Sequence, residues 1–156
     1  MFYRYQRRFK PRRKIDWLID IVCVVLCIMP VLLSGPIYNH FDFMTYLRIS
    51  KALLNTTRFA IIVFLLFNLA ALYPHVLVFL LPVREDNREK LVQIYYNMLN
   101  TMKLVCVTST VILYPIYMFL QLPTVFFIII MLIAVVIIGR LYFNNMKATA
   151  ESKEAA

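Results

Sequence analysis

Four apolar runs, each about as long as the hydrocarbon core of a bilayer is thick, constrain this chain more than any other feature. A membrane-spanning helix needs about 20 predominantly apolar residues. The runs predict helices over residues 16–34 and 57–73, a third helix that ends near residue 120, and a fourth over residues 124–141, with a tight hairpin at 121–123. The chain is 62% hydrophobic, well above the roughly half-apolar composition of soluble domains. The sequence therefore predicts an all-α, integral membrane four-helix bundle.

Polar segments flank this apolar part. We predict a basic cytoplasmic tail over residues 1–14, a membrane domain over 15–143 and a flexible cytoplasmic tail over 144–156. The first apolar run is too long for a signal-peptide core and lacks a small-residue cleavage pattern, so we expect it to remain as an anchor. Cys23, Cys27 and Cys106 all fall inside apolar runs, where they are expected to act as small apolar filling rather than as a disulfide framework.

The distribution of Lys and Arg predicts the orientation of the chain. With both termini in the cytoplasm, fourteen basic residues lie inside and three lie outside: Arg48, Lys51 and Arg58. Cytoplasmic flanks of membrane helices carry such an excess. Seven of the fourteen precede the first apolar run with no acid among them, which favours contact with anionic lipid over nucleic-acid binding. We expect no nucleic-acid partner.

The second helix is expected to end at the sequence Tyr73-Pro74-His75. Proline supplies no backbone donor and stops or kinks a helix, so His75 should lie at the inner interface. There it would hydrogen-bond carbonyls freed near Pro74 or contact lipid headgroups, with a pH-sensing role left open. Residues 76–82 are too few to span the membrane and predict an interfacial or re-entrant segment. His40 is expected outside the first helix, about 30 Å of hydrocarbon core away from His75, so the two histidines cannot share a metal.

An apolar stripe at helical spacing precedes the third span. Asp86 and Glu89 have the spacing of a capping box, which predicts a helix that begins there and continues through Lys103 into the membrane. This amphipathic cytoplasmic extension offers a candidate face for binding another protein. The candidate partner face consists of Leu91, Ile94, Tyr95, Met98 and Met102.

Polar side chains inside the apolar runs are the remaining candidates for function. Asp16 and Asp20 share one face of the first helix with two of the cysteines. Intramembrane carboxylates usually face a bundle interior and pair, so they either form a proton or cation site or have the structural role that we favour. Lys103, at the matching end of the third helix, is expected to pair with one of them, Asp16 being the nearest to it by depth, and Asn68 is expected to hydrogen-bond Asp20. We expect no catalytic residues, cofactor or metal, because no set of polar groups converges.

Several short motifs occur in the order found in one bacterial family. They are His40-Phe41 after the first helix, Pro82-Val83 and Asn87-x-Glu89 after the second, and Lys103-Leu104 before the third span. Over residues 14–120 the chain resembles the four-helix membrane domain of unknown function that also forms the N-terminal part of SdpI-like toxin-immunity proteins. The family's outer-loop pattern is missing from residues 41–59. The resemblance implies a protein of the bacterial cytoplasmic membrane with a role in immunity or envelope signalling and no known catalysis.

Two classes of function remain open. The favoured one is a non-enzymatic protein, single or oligomeric, that binds a membrane or toxin protein, because the sequence lacks a catalytic constellation and has the candidate partner face. The alternative is a small ion-coupled transporter or permease that uses Asp20 as its charged site.

Overall fold

The computed structural model describes residues 13–37, 43–73, 81 and 87–151. Its helices are α1 (Lys14–Ile37), α2 (Phe43–Ala71), α3 (Arg88–Phe119) and α4 (Thr124–Glu151). Each contains a segment long and apolar enough to cross a membrane. The predicted all-α, four-helix membrane architecture is confirmed.

The hairpin between α3 and α4 closes over the three residues that the sequence indicated. Gln121 has a φ of 55°, and the amide of Leu122 donates to the carbonyl of Tyr117 at 3.0 Å. This six-to-one bond around a left-handed residue is a Schellman motif, with Gln in the position that Gly usually occupies. Pro123 follows directly and cannot continue α3, so α4 begins at the next residue.

The long helix α3 is the central element, since α1, α2 and α4 all pack against it. On one side Cys23 and Cys27 of α1 meet Ala60 of α2 and Val107 of α3 in a buried apolar cluster. All three cysteines are free and buried, in agreement with their predicted packing role.

A second cluster joins α3 to α4 and α2 through aromatic rings. Phe127 of α4 is fully buried, and its ring centroid lies 5.4 Å from that of Tyr114 on α3 and 6.1 Å from that of Phe59 on α2. Tyr114 and Phe59 are themselves stacked at 5.6 Å. Such pairs add about 0.5–1.5 kcal/mol to the effect of burial.

Apart from these contacts, most of α4 is uncovered and apolar. Only 11% of its most apolar span-length window is buried. The exposed side chains include Phe126, Ile129, Leu132 and Val136. Surface of this kind suits lipid, which is as apolar as the side chains themselves.

Two helices extend beyond the predicted limits. The helix α2 begins at Phe43 rather than near residue 57, because residues 43–56 contain neither Pro nor Gly and continue the helical ladder past the apolar part. The helix α4 continues to Glu151, so the prediction of a flexible tail is wrong for residues 144–151. Met146 and Ala150 are buried there in a cluster with Leu91, and this packing keeps the last turns helical.

The start of α3 also differs slightly from the prediction. The carbonyl of Asn87 accepts the first helical bond, from the amide of Leu91 at 3.0 Å, which makes Asn87 rather than Asp86 the N-cap residue. Asparagine is among the preferred residues at this position. Asp86 itself lies outside the described residues.

Candidate functional site

Polar side chains concentrate where the first turns of α1 cross the middle of α3. Three pairs advance together along the two helices: Arg13 with Asn97, Asp16 with Asn100, and Asp20 with Lys103. Because the steps are three and four residues on the α1 side and three residues on α3, successive turns of α1 meet successive turns of α3. We call these six residues the polar cluster.

The pair formed by Asp20 and Lys103 is the most buried charged contact of the polar cluster. The Lys103 ammonium donates to Oδ1 of Asp20, and the two side chains are 4% and 13% exposed for Lys103 and Asp20 respectively. The same ammonium lies 5.6 Å from the ring centroid of Phe64 on α2, within reach of a cation–π interaction. Lys103 therefore contacts both α1 and α2.

The depth of this pair follows from the length of α3. Lys103 precedes the end of α3 at Phe119 by about 24 Å at 1.5 Å per residue. The hydrocarbon core is about 30 Å thick, so the pair lies near the boundary of the core on the side of the α1 N-terminus. A charge at this depth is less costly than one at the bilayer centre, but it still needs a partner.

Asp16 has a local role at the start of α1 as well as an interhelical one. Its Oδ2 accepts from the backbone amide of Arg13 at 2.8 Å, and its Oδ1 accepts from Nδ2 of Asn100 at 2.7 Å. The Arg13 guanidinium adds an ion pair at 3.5 Å and also donates to Oδ1 of Asn97. The buried carboxylate is thus satisfied by donors from the residue that precedes α1 and from α3.

A further bond links α3 to α4 at a similar level. The hydroxyls of Thr101 and Tyr142 lie 3.0 Å apart. Thr101 also donates to the carbonyl of Asn97 at 2.8 Å. Hydrogen bonds therefore run from α1 through α3 to α4.

The structure resolves which acid Lys103 pairs with, and it adds residues that the sequence interpretation missed. Lys103 pairs with Asp20, whereas Asp16 accepts hydrogen bonds from Arg13 and Asn100. Arg13, Asn97 and Asn100 were not predicted as members. The spacing of Asn97, Asn100 and Lys103 at three-residue steps places them on one face of α3, and this pattern was the available signal.

The other predicted polar residues lie apart from this cluster or outside the described part of the chain. Nδ2 of Asn68 donates to the carbonyl of Phe64 in its own helix at 3.0 Å, and the predicted bond to Asp20 stays a prediction. Asn87 is buried at the N-cap of α3. His40 and His75 fall outside the described residues, so their predicted locations and roles also stay predictions.

The candidate partner face on α3 is covered by the chain itself, and that part of the prediction is wrong. Leu91 and Tyr95 are buried in one cluster with Leu81 and with Met146 and Ala150 of α4, while Ile94 and Met98 pack against it. The Tyr95 hydroxyl donates to the carbonyl of Ala70 on α2 at 3.1 Å. Met102 is also buried. The apolar stripe was read correctly, but the ends of α2 and α4 cover it.

These contacts indicate what the polar cluster can do chemically. Asp20 and Lys103 form an ion pair with no net charge, and Asp16 accepts hydrogen bonds from Arg13 and Asn100. Both carboxylates therefore stabilise the packing of α1 against α3. Within the described ranges no three His, Cys, Asp or Glu residues are grouped so as to hold a metal ion.

The fold and this site define a multi-pass α-helical membrane protein whose polar side chains join its helices. Comparisons with protein-family models, with curated proteins and with solved structures gave no match to this chain.

Proposed function

We propose that the chain is a non-enzymatic membrane protein that acts by binding another protein within the bilayer. The observation that carries the proposal is the contrast between its polar and apolar surfaces. The acids of the polar cluster are engaged by groups of the same chain, whereas α4 uses one narrow stripe for its contact and leaves most of its apolar surface uncovered.

The outer face of α4 is the surface assigned to this partner. Phe126, Ile129, Ile133 and Val136 are all exposed and recur at steps of three and four residues, on the side opposite the buried Phe127 and Met131. This is the spacing by which one helix packs along another. The expected partner is therefore a transmembrane helix of a second protein. The resemblance to SdpI-like proteins makes a toxin or an envelope-signalling protein the first partner to test.

Crosslinking in native membranes tests the assignment. A photoreactive residue placed at Ile133 or Val136 should give an adduct with a second protein. The matched control is Ile21 on α1, which is equally exposed and apolar but lies on another helix. Adducts at both α4 positions and none at Ile21 support the proposal. No adduct at any position, or equal labelling at all three, contradicts it.

We also propose that both termini are cytoplasmic and that the membrane is the bacterial cytoplasmic membrane. The count of fourteen basic residues against three supports this orientation, and the resemblance supports the compartment. Reporter fusions at Lys51 and Lys90 test it, since the reporter should be active outside at Lys51 and inside at Lys90. External activity at Lys90 would contradict the arrangement.

A transporter is the second candidate, favoured by the buried pair of Asp20 and Lys103 between two spans. A proton or cation bound at Asp20 would have to displace the ammonium, which offers a switch between two states. In proteoliposomes the transporter hypothesis predicts ion flux that Asp20→Asn removes while membrane insertion stays normal. Absence of flux in the unsubstituted chain excludes it.

A further inference from the structure

An open groove of about 620 Å³ lies on the lipid-facing surface between α1 and α2. Trp17 of α1 forms one wall, and side chains of α2 between Ile62 and Leu72 form the other. The lining is almost wholly apolar. Its polar member, Asn68, donates to the carbonyl of Phe64 in its own helix.

The length of the groove matches one leaflet of a bilayer. From Ile62 to Leu72 the helix rises by about 15 Å at 1.5 Å per residue. The hydrocarbon core is about 30 Å thick, so the groove is too short to cross both leaflets, and Phe64 beside Lys103 places it at the boundary of the core on the side of the α1 N-terminus. A transmembrane helix would need a groove through both leaflets, whereas the acyl chain of a lipid needs only one. Trp17 lines the groove from α1, and indole side chains are enriched at the membrane interface.

The N-terminal end of α1, beside the groove, is basic. Lys14 is exposed and precedes Trp17 by three residues, which places both on one face of α1. Seven Lys and Arg residues fall within residues 4–14, with no acid among them. The nearest acid in α1, Asp16, is buried and held by Arg13 and Asn100. The positive end of the α1 helix dipole adds to this potential.

From this geometry we infer that the groove binds an acyl chain of an anionic phospholipid. The lipid comes from the leaflet at the N-terminal end of α1, and Lys14 contacts its headgroup. The apolar wall binds the acyl chain of the lipid, and the basic end favours an anionic headgroup. The inference depends on the membrane fold alone and is independent of the protein-binding proposal.

Trp17 is the only tryptophan in the sequence, so its fluorescence reports the groove directly. The full chain is placed in vesicles that contain acyl-brominated phosphatidylglycerol or acyl-brominated phosphatidylcholine at equal mole fraction. Quenching by the anionic lipid should be the stronger. Lys14→Gln should reduce this preference about fivefold, the equivalent of the roughly 1 kcal/mol that a basic residue near the surface contributes. Lys51→Gln removes the same charge from the far end of α2 and should leave the preference intact.

A groove-filling variant separates this site from general attraction by the basic tail. Leu65 and Leu69 are exposed and one turn apart, so Leu65→Phe/Leu69→Phe narrows the groove without changing charge or core packing. The preference for the anionic lipid should then disappear. If it persists in this variant, the tail alone recruits lipid and the groove is not the site. Equal quenching by the two lipids in the unsubstituted chain, or quenching by neither, overturns the inference as well.

Discussion

Lys103 of α3 donates a hydrogen bond to Asp20 of α1, and both side chains are largely withdrawn from the surface. A lysine or an aspartate alone at this depth would carry an uncompensated charge toward the hydrocarbon. Together they are neutral, and they fix both the rotation and the height of α1 against α3. The neighbouring pair of Asp16 and Asn100 repeats the contact one turn away. The polar cluster thus holds α1 and α3 together.

Asp16 should contribute to stability through two separate bonds. Asp16→Ala removes the acceptor for the Arg13 amide at the start of α1 and leaves Asn100 without its partner. We expect the free energy of unfolding to fall by about 1–3 kcal/mol, as for other lost caps and buried hydrogen bonds. Asp16→Asn keeps an acceptor oxygen and should lower the free energy of unfolding by less. Chemical unfolding in detergent micelles measures both, and no loss in either variant would show that the carboxylate is dispensable.

Gly139 marks a close approach of α4 to α3. A Cβ placed on Gly139 would lie 3.1 Å from Cε of Met102, which is the mobile end of a flexible side chain. Gly139→Ala should therefore be tolerated, since Met102 can shift and alanine favours the helix by about 0.5–1 kcal/mol. Gly139→Leu should destabilise the chain by about 1–3 kcal/mol because it overpacks the contact. Thermal unfolding of the two variants checks this, and equal behaviour would mean that the helices are not in close contact there.

The last turns of α4 should be structural although they look like a tail in the sequence. Deleting residues 144–156 removes Met146 and Ala150 from the cluster around Leu91 and should lower the free energy of unfolding by about 2–5 kcal/mol. Deleting only residues 152–156 should change it by less than about 0.5 kcal/mol. Equal stability of the two shortened chains would show that the end of α4 contributes nothing to packing.

The span positions and the pairing of Lys103 with an acid follow from the sequence for simple physical reasons. A run of about 20 apolar residues has few alternatives to a membrane helix. A single lysine at the end of such a span needs an acid at the same depth, and Asp16 and Asp20 were the candidates. The choice between them required the relative height of two helices, which local patterns do not encode.

The apolar stripe on α3 shows what cannot be predicted from the sequence of one helix alone. Periodicity identified Leu91 and Tyr95 as members of an apolar face. It did not show whether another protein or the chain itself covers that face. The answer depended on α4, whose residues beyond 143 are too polar to be recognised as part of a span yet bury Met146 against this stripe. Asn97 and Asn100 were missed for a related reason: their spacing places them on one face of α3 with Lys103, but it does not show that Arg13 and Asp16 lie opposite that face.

A double-mutant cycle on Asp20 and Lys103 tests the structural role of the polar cluster most directly. Lys103→Met and Asp20→Asn each remove one charge, and the free energies of unfolding are measured for both single variants, the double variant and the unsubstituted chain. Lys103→Met should lower the free energy of unfolding by about 3–5 kcal/mol, because it leaves a buried carboxylate unpaired, and the double variant should recover part of that loss. We predict a coupling energy of about 1–3 kcal/mol. If the losses in the two single variants add up to the loss in the double variant to within about 0.3 kcal/mol, the two side chains do not interact. That result would contradict the conclusion that this pair holds α1 against α3.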